Sequence, residues 1–216
     1  MEGTLASPAA LVESLLRPAC YPHPVDRVEV LETHISYVLL AGEFAYKIKK
    51  PVRLAFLDFS SLQARRFYCE EEVRLNRRTA PDLYLDVVAI GGEPLAIGPC
   101  EAPVEYAVKM KRFSQEGLLD RLARECRLGP GVIDALARSV ARFHAVAPRA
   151  EAIDEEDSIA RAAQPALDNF REIAALGTSV PIGATLERLR AWALHERDAL
   201  GGRFALRRLD GYVREC

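Results

Sequence analysis

ISYVLLAGEFAYKIKKPVR, residues 35 to 53, decides how the fold is read. Two extended runs meet at Gly42-Glu43. Ile35 to Leu40 is aliphatic and aromatic. Phe44 to Lys50 alternates, with Phe44, Tyr46 and Ile48 on one side and Ala45, Lys47 and Lys49 on the other. Successive strand side chains point to opposite faces, so alternation on both flanks of a glycine-containing turn specifies a β-hairpin. The chain has five lysines, Lys47, Lys49, Lys50, Lys109 and Lys111, all in two strand-like segments; elsewhere the positive charge is arginine. An ammonium is a compact point charge suited to phosphate oxygens, while a guanidinium is a planar fork. One expectation is that this strand offers a lysine to a nucleotide phosphate. On the residues alone, the favoured reading of Lys47 is plainer: an exposed strand lysine that discourages edge pairing.

The 216 residues suffice for one large domain or two small lobes, and 50% apolar with 28% charged residues is an ordinary globular mix. A net charge of −2 gives no bulk attraction to nucleic acid or to an acidic membrane, although Lys47 to Arg53 forms a local basic run. Cys20, Cys69, Cys100, Cys126 and Cys216 are scattered, with no C-x-x-C pair and no Cys/His spacing that suits zinc. Their odd number and the lack of a secretory leader point to the cytoplasm. The apolar runs are too short to span a membrane.

Outward from the hairpin, residues 8 to 17 have helical spacing, and Pro18, Pro22 and Pro24 then break the chain. Val25 to Glu32 reads as a strand. Thr33-His34-Ile35-Ser36 connects it to the hairpin, with small hydroxyls and backbone N–H groups of the kind that face phosphates; His34 by itself reads as an exposed turn histidine. After Pro51 a connection leads to Ser60-x-x-Gln63, a capping box opening a helix from about 61 to 78. Glu70, Glu71 and Glu72 are consecutive on it and splay about 100° apart. Glu70 has arginine neighbours and faces water; spacing does not separate Glu71 from Glu72. Strands are predicted over 83 to 90 and 104 to 113, with Gly91 to Pro94 a turn and a polar loop between. That makes five strands with one helix inserted after the third, an α+β pattern. Helices are predicted over 115 to 125, 132 to 147, 158 to 176 and 186 to 200, with Ile133, Leu136, Val140 and Phe143 on a buried side and Gly201-Gly202 a break. His144 reads as packed or capping. Three segments follow: a helical extension over 1 to 24, a sheet-rich lobe over 25 to 112, and a helical lobe over 113 to 216.

The stretches YPHPVDRVEVLETHIS, FAYKIKKPV, FLDFS, RRFYCEEEVRLNRR, APDLYLDVV, VEYAVKMKRF and LLDRL carry a resemblance covering most of residues 21 to 122. They resemble the aminoglycoside phosphotransferase-like kinases, of protein-kinase-like fold, in particular bacterial proteins that fuse such a domain to a C-terminal P-loop ATP-binding domain. The resemblance implies a five-stranded antiparallel N-lobe with one inserted helix and a partial helical C-lobe. It implies ATP and Mg as cofactors. Ala45-Tyr46-Lys47 matches the family's A-x-K, making Lys47 the phosphate-pairing lysine, with Lys49 as fallback. Glu72 matches the glutamate that orients this lysine, with Glu71 as fallback. Thr33, His34 and Ser36 take the place of the phosphate-covering loop, without its glycines. Lys109, Met110 and Lys111 take the place of the hinge that contacts adenine through its backbone.

The family's catalytic H-G-D-x-H-x-x-N motif and the later metal-binding aspartate motif do not occur in this sequence, and neither does a Walker A motif. No catalytic residue or metal ligand is therefore assigned here. The catalytic loop and the Mg ligands are expected downstream of Cys216, in a longer protein whose acceptor is a small-molecule hydroxyl. Three functional readings result. The first is the nucleotide-binding portion of an ATP-dependent phosphotransferase, inactive as written. The second is a regulatory or scaffold domain beside a P-loop partner domain. The third, a nucleic-acid module using Lys47 to Arg53, is disfavoured by the acidic balance and by lysines that alternate with apolar residues.

Overall fold

Alternation in residues 35 to 50 becomes a hairpin in the computed structural model, which describes residues 8–54, 56–149, 155–176 and 183–214. The chain divides into two compact units, Met1–Pro130 and Gly131–Cys216. This boundary marks where contacts thin; the change from strands to helices near residue 112 comes earlier in the chain.

The first unit contains helix α1 (Pro8–Ser14), then strands β1 (Val28–Glu32), β2 (Ser36–Ala41) and β3 (Phe44–Lys49). A small separate hairpin follows, β4 (Arg53–Leu54) with β5 (Leu57–Asp58). Helix α2 (Leu62–Asn76) leads to β6 (Tyr84–Gly91), β7 (Ala96–Ile97), β8 (Pro103–Lys111) and the short helix α3 (Leu119–Arg124). The main sheet runs β1-β2-β3-β8-β6-β7, with antiparallel neighbours throughout. The fold is α+β, and its sheet has six strands rather than the expected five. The sixth, β7, lies in the predicted polar loop: Ile97 and Ala96 return beside Ile90 and Gly91. Two residues are too few to show a period in the sequence.

Gly42 closes the β2–β3 turn at φ +57°, and a Cβ there would stand 2.8 Å from the Pro24 carbonyl oxygen. Both the backbone angle and the close approach require glycine. The register then sets Val38 opposite Lys47 and Ser36 opposite Lys49. On the other side of β3, Val108 lies opposite Lys47. β3 is thus a central strand, and Lys47 does not protect an edge.

Both sheet faces are covered. Tyr46 and Ile48 join Leu39, Ile90 and Ala107 in one cluster with Leu11, Val12 and Leu15 of the N-terminal segment, and with Cys20 and Tyr21. The described part of the predicted N-terminal extension is therefore a layer of this unit. Ala45, Val108 and Met110 join Cys69 and Val73 of α2 on the opposite face. The N-cap of α2 is Ser61, whose hydroxyl accepts from the Ala64 N–H at 3.1 Å. Ser60, the expected cap, instead donates to Asp58.

The second unit holds most of α4 (Pro130–Val146), together with α5 (Glu155–Ala175) and α6 (Gly183–Leu209). The predicted break at Gly201-Gly202 does not occur. Glycine inside a helix costs only about 1 kcal/mol relative to alanine, and Gly201 lies where a Cβ would meet Ile159 of α5 at 3.4 Å. Ile133, Leu136 and Val140 on the predicted buried side of α4 are exposed. Near the end of the described chain, Arg149 and Arg214 form a single antiparallel bridge; Glu215 and Cys216 lie outside the described residues. Among the described residues, no helix is long and apolar enough to cross a membrane.

Leu39 is fully buried in the first cluster, whereas Val30 on the edge strand is exposed. Urea unfolding should show Leu39→Ala costing about 2–5 kcal/mol and Val30→Ala within about 0.5 kcal/mol of wild type.

Candidate functional site

Strand alternation sends Lys47 and Lys49 to the face on which α2 lies. Glu72 stands between them. Lys47 Nζ donates to Glu72 Oε1 at 2.7 Å, and Lys49 Nζ donates to Glu72 Oε2 at 2.6 Å. Each carboxylate oxygen has its own ammonium. The three side chains differ in access: Lys47 retains 29% of its side-chain exposure, Glu72 13% and Lys49 6%. The Lys49 ammonium also lies 4.9 Å from the centre of the Phe59 ring. Two cations and one anion leave the cluster with a net positive charge, and its most accessible member is Lys47.

The other two glutamates turn away. Glu70 pairs with Arg66 and Glu71 with Arg74, each at 2.8 Å along the exposed side of the helix. Burial alone raises the pKa of a carboxyl. For Glu72 burial is the largest single influence and acts upward, but the hydrogen bonds and charges of Lys47 and Lys49 together outweigh it and hold the group below its ordinary value. The Cys69 thiol nearby is pushed up to about 12, first by burial, and stays neutral. Tyr84 is also raised, first by burial and then by the Glu72 charge.

A second buried ion pair holds α2 in place. Arg65 Nε lies 2.9 and 2.8 Å from the two Glu105 oxygens on β8, and Arg65 Nη1 donates to the Phe59 and Ser60 carbonyls at 2.9 and 3.1 Å. It ties the first turn of α2 to the sheet, so the height of Glu72 over β3 is fixed from a neighbouring strand. The sequence reading missed Arg65. Its signal was spacing: Arg65 is four residues before Cys69 and eight before Val73, so a charged side chain occupies the sheet-facing stripe and requires a partner.

The remaining candidates lie apart from the three-residue cluster. The Thr33–Ser36 turn is closed on itself: the Thr33 N–H donates to the Ser36 carbonyl at 2.9 Å, and the Ser36 N–H to Thr33 Oγ1 at 3.0 Å. Ser36 is fully buried, and its hydroxyl has no hydrogen-bond partner among the described residues. His34 is exposed. Lys109 and Lys111 are paired with Tyr46 and Phe44, on the sheet face away from α2, and Lys109 Nζ lies 4.1 Å from the centre of the Phe44 ring. Met110 is buried against α2. Residues 109 and 110 pair with β3 on one side and β6 on the other, and the Lys111 N–H donates to the Leu83 carbonyl. Much of the backbone of this segment is thus committed to the sheet. Among the described residues, no group of three or more His, Cys, Asp or Glu side chains is placed to hold a metal ion.

Removing the carboxylate from this cluster leaves both ammonium groups uncompensated. Glu72→Gln should lower unfolding free energy by about 3 kcal/mol, while Glu71→Gln, which touches only an exposed pair, should change little in the same urea titration. A carboxyl depressed in the folded state stabilises fully above its unfolded value and loses that contribution as pH falls through the folded one. The difference between wild type and Glu72→Gln should therefore narrow as pH falls below 4.5, the ordinary value for this group.

No family model and no solved structure matches the chain. It is similar to uncharacterized proteins from two strains of Mycobacterium tuberculosis and from Mycobacterium bovis, each 31% identical over 173 residues, or 79% of this chain. The match covers 34% of each relative, so the chain spans about a third of the length of these relatives.

Proposed function

We propose that the Met1–Pro130 unit is the nucleotide-binding portion of an ATP-dependent small-molecule phosphotransferase with a kinase-like fold. The observation that supports this reading best is the Lys47–Glu72 contact at 2.7 Å, between a central strand of an antiparallel sheet and the helix inserted after it. A phosphate-binding lysine must be held in place yet remain accessible. Lys47 meets both conditions, being ion-paired and still 29% exposed.

The charge of the site suits a polyphosphate. Lys47 and Lys49 bring two positive charges and Glu72 one negative, so an incoming phosphate meets a net cation. Lys47 would bind phosphate oxygens by charge-assisted hydrogen bonds, and Glu72 would orient it. ATP supplies the transferable phosphoryl group. Among the described residues no cluster of carboxylates, histidines or cysteines is placed to hold Mg. In a protein of the relatives' length this function, and a fused P-loop domain, would be carried by other parts of the chain.

Binding of a non-hydrolysable ATP analogue, followed by calorimetry, tests the assignment. Lys47→Met should weaken binding about tenfold or more, the loss of a charge-assisted contact of roughly 1.5–3 kcal/mol. Equal affinities for wild type and variant would remove Lys47 from the site.

A further inference from the structure

We propose that Lys49 is the standing counter-ion of Glu72, a positioning residue that keeps the carboxylate paired while Lys47 leaves it for an anionic ligand. The identity of that anion as a nucleotide phosphate rests on the reading above; the role of Lys49 rests on the geometry of the three side chains.

A single lysine–glutamate pair faces a conflict. If the lysine turns to a phosphate, a partly buried carboxylate loses its cation, and an unpaired buried charge costs several kcal/mol. Here the two carboxylate oxygens are engaged separately, Oε1 by Lys47 and Oε2 by Lys49. Departure of Lys47 would leave a neutral Lys49–Glu72 pair in the same place. The two lysines are not interchangeable. Lys49 is nearly sealed, with 6% of its side chain exposed and the Phe59 ring beside its ammonium. It is far less open to an outside ligand than Lys47. Lys47 keeps 29%.

The other titratable groups around Glu72 do not take over this task. Tyr84 of β6 and Cys69 of α2 are both raised, burial being the first cause, and neither offers a positive charge. Spacing gives the arrangement its economy. Residues two apart on a strand lie on one face about 6.6 Å from each other, so one carboxylate placed between them reaches both. The sequence K-x-K on β3 is thus one exchangeable cation and one fixed cation.

The test has two arms on the same chain. In the first, glutamate carboxyl carbons are labelled with carbon-13, the Glu72 signal is identified by its loss in Glu72→Gln, and its titration is followed by NMR. In Lys47→Met, Glu72 should still be ionised at neutral pH, because Lys49 remains. A Glu72 carboxyl that is protonated at neutral pH in Lys47→Met would overturn the proposal. This arm uses no ligand and does not require Lys49 variants to fold. In the second arm, the affinity of the ATP analogue is measured for Lys49→Met. With its substitute gone, Lys47 is committed to Glu72, and binding should weaken by about tenfold although Lys47 is intact. Unchanged affinity would overturn the proposal. If wild type fails to bind the analogue, the nucleotide reading is lost, and the carboxyl titration alone decides the role of Lys49.

Discussion

One carboxylate shared by two ammonium groups is the constraint around which the first unit is arranged. Glu72 is mostly removed from water, and a lone carboxylate there would be neutralised or exposed. Its charge persists because β3 offers Lys47 and Lys49 on one face, each within 2.7 Å of a different oxygen. For this to happen β3 must be flanked on both sides, its pleat must not slip by one residue, and α2 must lie at a fixed height above it. A slip of one residue would turn both lysines into the aromatic cluster around Tyr46 and bring Tyr46 and Ile48 to the carboxylate.

The rest of the unit supplies those conditions. β2 and β8 pair with β3 in register. Leu11, Leu15 and Tyr21 cover the face where Tyr46 and Ile48 are buried. Cys69 and Val73 seat α2 on the other face, and the Arg65–Glu105 pair anchors its first turn. The apolar contacts provide most of the stabilisation, and the two ion pairs set where the helix sits, because charges that are buried tolerate few alternative partners. In the second unit, Ile159, Ala163 and Leu167 of α5 and Trp192 and Phe204 of α6 line one pocket, while Ile133, Leu136 and Val140 of α4 stay exposed.

Much of this was legible. The hairpin, the two faces of β3 and the helix after it follow from period-two alternation and from a serine cap placed within one residue of its true position. The α+β class followed from those elements. β7 was not legible, because a two-residue strand carries no period and owes its existence to pairing with Ile90 and Gly91. The long helix runs on through Gly201-Gly202, where the sequence predicts a break, since local glycine propensity is overridden by packing against Ile159 and by strong helix formers on both sides. At the site, strand alternation by itself put Lys47 and Lys49 together. The choice of Glu72 over Glu71 needed an anchor: with Cys69 and Val73 facing the sheet, Glu72 lies three residues after one and beside the other, whereas Glu71 has rotated outward to Arg74. The pairing of Arg65 with Glu105 is a contact between residues forty apart, and local spacing contains only half of it.

The central claim is an energetic coupling between a strand lysine and a helix glutamate, and a double-mutant cycle measures it directly. Unfolding free energies of wild type, Lys49→Met, Glu72→Gln and the double variant should show that the double variant loses at least ~1 kcal/mol less than the sum of the single losses. That result is expected because Glu72→Gln alone strands the nearly sealed Lys49 ammonium, whereas in the double variant only the more exposed Lys47 is left without its partner. Losses that simply add, within about 0.5 kcal/mol, would mean that the two side chains act independently and would contradict the account.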